Sequence, residues 1–270
     1  MSFCSKENRK PKIVAAIPCF NTEPYIGDIV SRVRKYVDEV VVVDDGSHDG
    51  TAEAARRAGA VIVSHAKNMG YGEAIKSCFE AARVNDADIL VILDGDGQHN
   101  PDEIPKLLEP ILRGEAELVI GSRFLSDSSI GEASEAINPA RQTLALNSEL
   151  KSRDSRLPVM PRYRRFGIRV ITFLWNFGSK VKVSDAQSGF RAYSREIFKD
   201  LALSERGMSI SIETLEKARK KRATIREVPI SCFYTPSTLN PGAIKHGLSV
   251  ALSVIKIRLK NAFCSFVGRH

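Results

Sequence analysis

Hydrophobic positions in the first half of the chain fall into short β-branched runs separated by stretches with helical spacing. The runs are Ile13 to Ile17, Val40 to Val43, Val61 to Val63, Ile89 to Leu93 and Leu118 to Ile120. Unbroken apolar runs of this length mark strands buried on both faces of a parallel sheet. Between the first two, Ile26, Ile29, Val30, Val33 and Val37 line one face of a helix that Pro24 is suited to begin. Thr51 to Ala58 reads as a second helix closed by Gly59, Gly72 to Val84 as a third, and Asp102 to Arg113 as a fourth ended by Gly114. Strands and helices alternating over short connections predict an α/β fold with right-handed crossovers and a doubly wound parallel sheet.

Ligands in such sheets sit beyond the carboxyl ends of the strands, so the residues that follow each strand carry the functional reading. The first strand is followed by Pro18-Cys19-Phe20-Asn21, the second by Asp44-Asp45-Gly46-Ser47, the third by His65 to Gly72 and the fourth by Asp94-Gly95-Asp96-Gly97-Gln98-His99. Two carboxylates one residue apart, with a neutral amide oxygen at Gln98, form an oxygen-only donor set that favours Mg2+ or Mn2+ over zinc. A cation there would bridge the two phosphates of a nucleotide-sugar. A calcium-binding loop is excluded, because His99 stands where its sharp turn needs glycine and Pro105 where it needs its closing glutamate. Asp44 and Asp45 suit hydrogen bonds from a nucleobase or ribose, although Ser47 and Asp49 would equally serve a capped turn. No Walker-type phosphate loop or dinucleotide fingerprint occurs. Asn68, Gly70 and Gly72 at a helix start either present amides to a phosphate or form a simple N-terminal turn.

The second half changes character. Residues 126–160 are polar, with little periodicity, and are expected to be a functional or disordered insertion. Tyr163 to Phe177 then mixes Arg164, Arg165 and Arg169 with apolar residues, and Ile244 to Val267 resembles it; each is a helix packed on the core or one lying on a membrane surface. Residues 1–150 carry 16 Lys+Arg against 24 Asp+Glu, whereas residues 151–270 carry 24 against 8, giving net charges of −8 and +16. Anionic lipid, phosphorylated substrates and nucleic acid would all suit the basic half, as would a plain solvated surface. No nucleic-acid recognition motif is present, and nucleic-acid binding is not expected. Five dispersed cysteines without a C-x-x-C pair point to reduced thiols and a cytoplasmic setting. The N-terminus lacks a secretory apolar core and no stretch reaches the length of a spanning helix, so neither feature is expected.

The ordered set IPCFNTE, VVVDDGSHDGT, HAKNMGYGEAIKSCF, VILDGDGQHNPDEI, VIGSRF and SDAQSGFRAYSRE resembles the inverting family-two glycosyltransferases, across nearly all of residues 11–250. Within them it is most similar to the polyprenyl- and dolichyl-phosphate mannose and glucose synthases. The resemblance implies a GT-A (Rossmann-like) mostly parallel sheet flanked by helices over residues 11–235, after a flexible 1–10 and before a basic amphipathic C-terminal helix over 236–270. It also implies that Pro18, Phe20, Asn21, Glu23, Asp44, Asp45, Lys67, Gly70, Asp94 and Gly95 contact the donor, while Asp94, Asp96 and Gln98 hold Mg2+ or Mn2+. Arg123, Arg164 or Arg165, Gln187 and Ser188 would meet an acceptor phosphate; only one of the adjacent arginines can face the site. Many such relatives carry a C-terminal membrane domain that is not evident here, and the polar segment is longer than expected. The chain is therefore expected at the inner face of the cell membrane, peripherally attached.

The expected reaction is transfer of a hexose, UDP-linked rather than GDP-linked by a slight margin, to a polyprenyl phosphate, with Asp96, Arg123 and Asp185 at its centre. Transfer to a glycan hydroxyl is the alternative and would need Asp185 as base, whereas a phosphate monoester is anionic already. A non-catalytic nucleotide-sugar binding module is the remaining reading.

Overall fold

A computed structural model describes residues 9–125, 160 and 162–233. The expectations for most of 1–10, for nearly all of the polar segment 126–160 and for the C-terminal helix over 236–270 lie outside the described residues.

All five predicted strands form, as β1 (Ile13–Cys19), β2 (Glu39–Asp44), β3 (Val61–Ser64), β4 (Ile89–Ile92) and β5 (Leu118–Ser122). Two more follow, β6 (Arg191–Ser194) and β7 (Ile225–Pro229). The seven-stranded sheet has the order β3-β2-β1-β4-β6-β5-β7. Its pairings are parallel except those of β6, which runs antiparallel to both β4 and β5. The sheet is thus mostly parallel, as expected, with β6 as its one antiparallel strand. The Arg191-Ala-Tyr-Ser of β6 lacks the apolar run that marks a buried strand, yet all four residues are buried.

Helices α1 (Glu23–Val33), α2 (Thr51–Arg57), α3 (Tyr71–Val84), α4 (Ile104–Leu112) and α5 (Arg162–Asn176) match the predicted ones in place. Two ends differ. Helix α1 stops at Val33, where tighter turns from Lys35 to Arg32 and from Tyr36 to Val33 take over, so Val37 packs on the core from outside the helix. The fourth helix begins as a 3-10 turn over Pro101–Glu103, fixed by the Asn100 side chain accepting from the Asp102 amide. The unpredicted α6 (Arg195–Phe198) and α7 (Ile210–Lys220) complete the described set.

Alternate strand residues go to opposite faces. Val14, Ala16, Val41, Leu90 and Ile92 pack with α3, α5 and α7, while Ala15, Ile17, Val40, Val42 and Val91 pack with α1, α2 and α4. With helices on both faces, the six strands that run parallel have their carboxyl ends at one polar edge, where β6 begins. At that edge Gly95 lets the chain turn tightly over β1, because a β-carbon there would overlap Cys19 Sγ.

Candidate active site

The carboxyl ends of β1, β2 and β4 bring three acidic segments side by side. Asp44 is the last residue of β2 and pairs in register with Cys19, whose strand leads into Phe20 to Glu23. The two loops are stitched together. The Asn21 amide donates to Ser47 Oγ (2.9 Å), the His48 amide to Asn21 Oδ1 (2.9 Å) and the Gly50 amide to Glu23 Oε2 (2.9 Å). Asn21 takes a left-handed conformation (φ 52°), which asparagine tolerates better than most residues. Phe20 stays 42% exposed and meets His48 edge-on, Pro18 is buried and Lys67 is exposed.

Asp44 and Asp45 have different surroundings. Asp44 accepts from the Ser47 amide. Asp45 is taken up by the protein, receiving the Met69 and Gly70 amides (2.9 and 2.8 Å) and lying 2.6 Å from His65 Nδ1. His65 Nε2 in turn lies 2.8 Å from Ser77 Oγ on α3. The Gly72 amide donates to the Arg206 carbonyl. The amides of Gly70 and Gly72 are thus committed within the fold, which agrees with the simple N-terminal turn rather than with amides presented to a phosphate; Asn68 is exposed beside them.

Asp94 and Asp96 follow β4 directly. Tyr71 Oη donates to Asp94 Oδ1 (3.1 Å), and the Gln98 amide and Nε2 donate to Asp96 (3.0 and 2.6 Å). Burial raises the pKa of both, and the charge of Asp94 raises that of Asp96 further. Tyr71, Arg123, Arg164 and Arg191 counter the rise at Asp94, with Arg164 also acting on Asp96. Arg164 is half-buried on α5 whereas Arg165 is exposed, so the structure separates the two adjacent arginines. Buried His99, 5.3 Å from the Phe190 ring, is pushed down to about 4 by burial and is neutral near pH 7.

Arg123, just beyond β5, forms a two-pronged ion pair with Asp185: Nε to Oδ2 at 2.6 Å and Nη2 to Oδ1 at 2.8 Å. Asp185 is fully buried. Burial works to raise its pKa, but the Arg123 charge and hydrogen bonds outweigh it, and the net shift is down. Gln187 follows, its amide donating to Asp185 Oδ1, and Ser188 is buried with Oγ accepting from the Phe190 amide. Sequence reading missed two residues that hold this loop. Glu227 of β7 receives the Ser184 and Asp185 amides (2.7 and 3.0 Å), and buried Arg191 donates to the Ala186, Ser188 and Ser211 carbonyls and to Thr214 Oγ1. Arginine in Gly-Phe-Arg beside the loop was a visible signal for the second; nothing local pointed to the first.

No three His, Cys, Asp or Glu side chains converge as a metal cage among the described residues. The donor set still fits Mg2+ or Mn2+, ions that commonly take one or two carboxylates and complete their shell with substrate phosphates and water. Two neighbouring desolvated carboxylates, each raising the cost of ionising the other, form a place where such a charge is stabilising.

The fold and this edge define a glycosyltransferase of the GT-A type. The chain belongs to glycosyl transferase family 2, which matches residues 14–202. It is 30% identical over 250 residues to a UDP-N-acetylglucosamine–dolichyl-phosphate N-acetylglucosaminyltransferase of Methanococcus voltae, covering 85% of this chain and 89% of the relative. It is 27% identical over 231 residues to a polyprenol monophosphomannose synthase of Mycolicibacterium smegmatis, covering 82% and 77%. Among solved structures, glucosyl-3-phosphoglycerate synthase from Mycobacterium tuberculosis with Mn2+, UDP and phosphoglyceric acid shares the fold at a TM-score of 0.60 and 23% identity, covering 93% of this chain and 78% of that one.

Gly189 offers a test of how closely this edge is fitted. A β-carbon there would lie 2.5 Å from Asp94 Oδ2, so Gly189→Ala must turn that carboxylate aside. Transfer is expected to fall by about tenfold to a hundredfold, since misplacement near 1 Å has such effects, while thermal unfolding changes little. Steady-state rates and calorimetry on the same preparation check both parts.

Proposed function

We propose that the enzyme moves a hexose, with inversion at the anomeric carbon, from a UDP- or GDP-hexose to the phosphate of a polyprenyl or dolichyl lipid. The observation that carries this reading is the state of Asp185. Its two oxygens accept from Arg123, it is fully buried and its pKa is lowered, so it is a poor base for drawing a proton from a sugar hydroxyl. A phosphate monoester, with its second pKa near 6, is an anionic nucleophile that needs no base. The relatives' printed names, for dolichyl-phosphate and polyprenol phosphate transfer, support the same acceptor class.

In this reading Pro18, Phe20, Asn21, Glu23, Asp44 and Lys67 line the nucleoside side, with Asp45, Gly70 and Gly95 setting the shape of the loops. Asp94 and Asp96 would hold Mg2+ or Mn2+; Gln98, expected as a third ligand, instead steadies Asp96 through its Nε2 donor while its oxygen accepts from Cys232 Sγ. The ion, when bound, neutralises charge on the departing diphosphate. Asp185 fixes the plane of the Arg123 guanidinium, and Arg123 and Arg164 draw the acceptor phosphate towards a strongly acidic edge, offsetting repulsion between two anionic reactants. Gln187 and Ser188 shape the acceptor loop. The lipid acceptor would bring the enzyme to the inner face of the membrane, attached peripherally in this reading; among the described residues no helix is long and apolar enough to cross one.

A panel of UDP- and GDP-sugars, incubated with a short polyprenyl phosphate and Mn2+, tests the reading by mass spectrometry of the organic phase. A lipid-linked sugar phosphodiester labile to mild acid is expected from one donor. An acid-stable glycoside, or no lipid product from any donor, contradicts the proposal.

A further inference from the structure

Helix α5 is apolar on two opposite sides. Ile168, Ile171, Thr172 and Trp175 are buried on the inner side, with Arg164 on the same side near the helix start. At 100° per residue, Tyr163, Phe166, Val170, Phe173 and Phe177 fall on the far side, the last just past the helix end. There solvent ordinarily meets polar side chains. Phe166, Phe173 and Phe177 are 71%, 65% and 72% exposed, and Tyr163 and Val170 are exposed as well. Along one border of this stripe run Arg162, Arg165 and Arg169, all exposed, and Arg169 stands over the Phe124 ring at 5.8 Å. From Arg162 to Gly178 there is no Asp or Glu.

Resting on the lipid-phosphate reading, we propose that this outer stripe of α5 is the surface that docks the enzyme on an anionic bilayer. Aromatic side chains sink to the headgroup level while flanking arginines meet lipid phosphates. Charge decides the occupant. The chain's own segment 234–270 carries Lys245, Lys256, Arg258, Lys260 and Arg269 with no Asp or Glu, and a second copy of the stripe would set arginines against arginines. An anionic lipid surface complements both the apolar stripe and its cationic border. Docking this way also serves the reaction, because Arg164 lies on the same helix and acts on the acidic pair. The acceptor phosphate would then be taken up where the lipid already lies.

The test uses the full chain and acceptor-free vesicles, so that its outcome does not depend on transferase activity. Binding is measured by flotation with phosphatidylcholine alone and with phosphatidylcholine containing phosphatidylglycerol. Wild type is expected to float with the anionic vesicles and to be released by salt. Phe166→Ser/Phe173→Ser/Phe177→Ser is expected to bind on the order of a hundredfold more weakly. Because the three side chains are largely exposed, the variant should keep its melting temperature and its turnover of a water-soluble short-chain acceptor. Phe173→Ser alone, with a smaller loss, guards against a folding defect in the triple variant. Wild-type binding that is absent, or unchanged by these substitutions, overturns the proposal and leaves the acceptor assignment to the product assay.

Discussion

Asp96→Asn is expected to lower sugar transfer by on the order of a thousandfold, with no loss of thermal stability. The two carboxylates at the end of β4 are desolvated and disfavour each other's ionisation, an arrangement that costs folding energy. Asparagine has the same shape, can still accept one of the two Gln98 hydrogen bonds and relieves the repulsion on Asp94. The folded state should therefore be as stable as wild type or slightly more so, a trade of stability against activity seen where a site is kept strained. On the proposed reading, what is lost is one of the two anionic side chains that would hold the ion and so stabilise the leaving diphosphate. Turnover and calorimetry on one preparation decide it. A variant that keeps a tenth of wild-type activity, or one that melts well below wild type, contradicts this account of the edge.

Arg123→Ala is expected to show the opposite balance, with a large loss of stability as well as of activity. The Arg123 and Asp185 side chains are 8% and 0% exposed, and removing one partner strands a buried charge. Such losses run to about 3–5 kcal/mol, which for a domain of this size lowers the melting temperature by about 10 °C. Replacing both partners with apolar residues should recover much of the stability and none of the activity. The pH dependence follows from the lowered pKa of Asp185. The pair's contribution is present above the unfolded carboxylate value of about 3.9 and is lost as pH falls through the lower folded value. The stability gap between wild type and Asp185→Asn should hold steady near neutrality and narrow only below about pH 4. A gap that changes between pH 5 and 7 would mean that Asp185 titrates there, with the raised pKa that suits a general base, and would contradict this account.

These two sites also mark how far the sequence could be read. The β-branched runs revealed β1 to β5 because buried parallel strands need no polar alternation, and Asp94 and Asp96 stood out because they directly follow such a run. Strand β6 was hidden because Arg191 looks like a surface residue until its donors are seen to reach carbonyls at 186, 188 and 211. Helix α7 was hidden for a similar reason. Its Glu213 is buried but accepts the Ser204 and Glu205 amides, so its inner face does not read as apolar. The partners of Asp185 lie far along the chain, Arg123 by 62 residues and Glu227 by 42, and pairings of that kind leave no local pattern. The choice of Arg164 over Arg165 needed the direction of α5, which the Ile168, Ile171 and Trp175 face fixes.

A crystal of the enzyme soaked with Mn2+ and a nucleoside diphosphate, with the metal located by its anomalous signal, bears most directly on the central claim. The account predicts manganese held by the carboxylates of Asp94 and Asp96, with phosphate oxygens of the diphosphate completing its shell. A diphosphate bound away from the end of β4, or manganese that touches neither carboxylate, would contradict it.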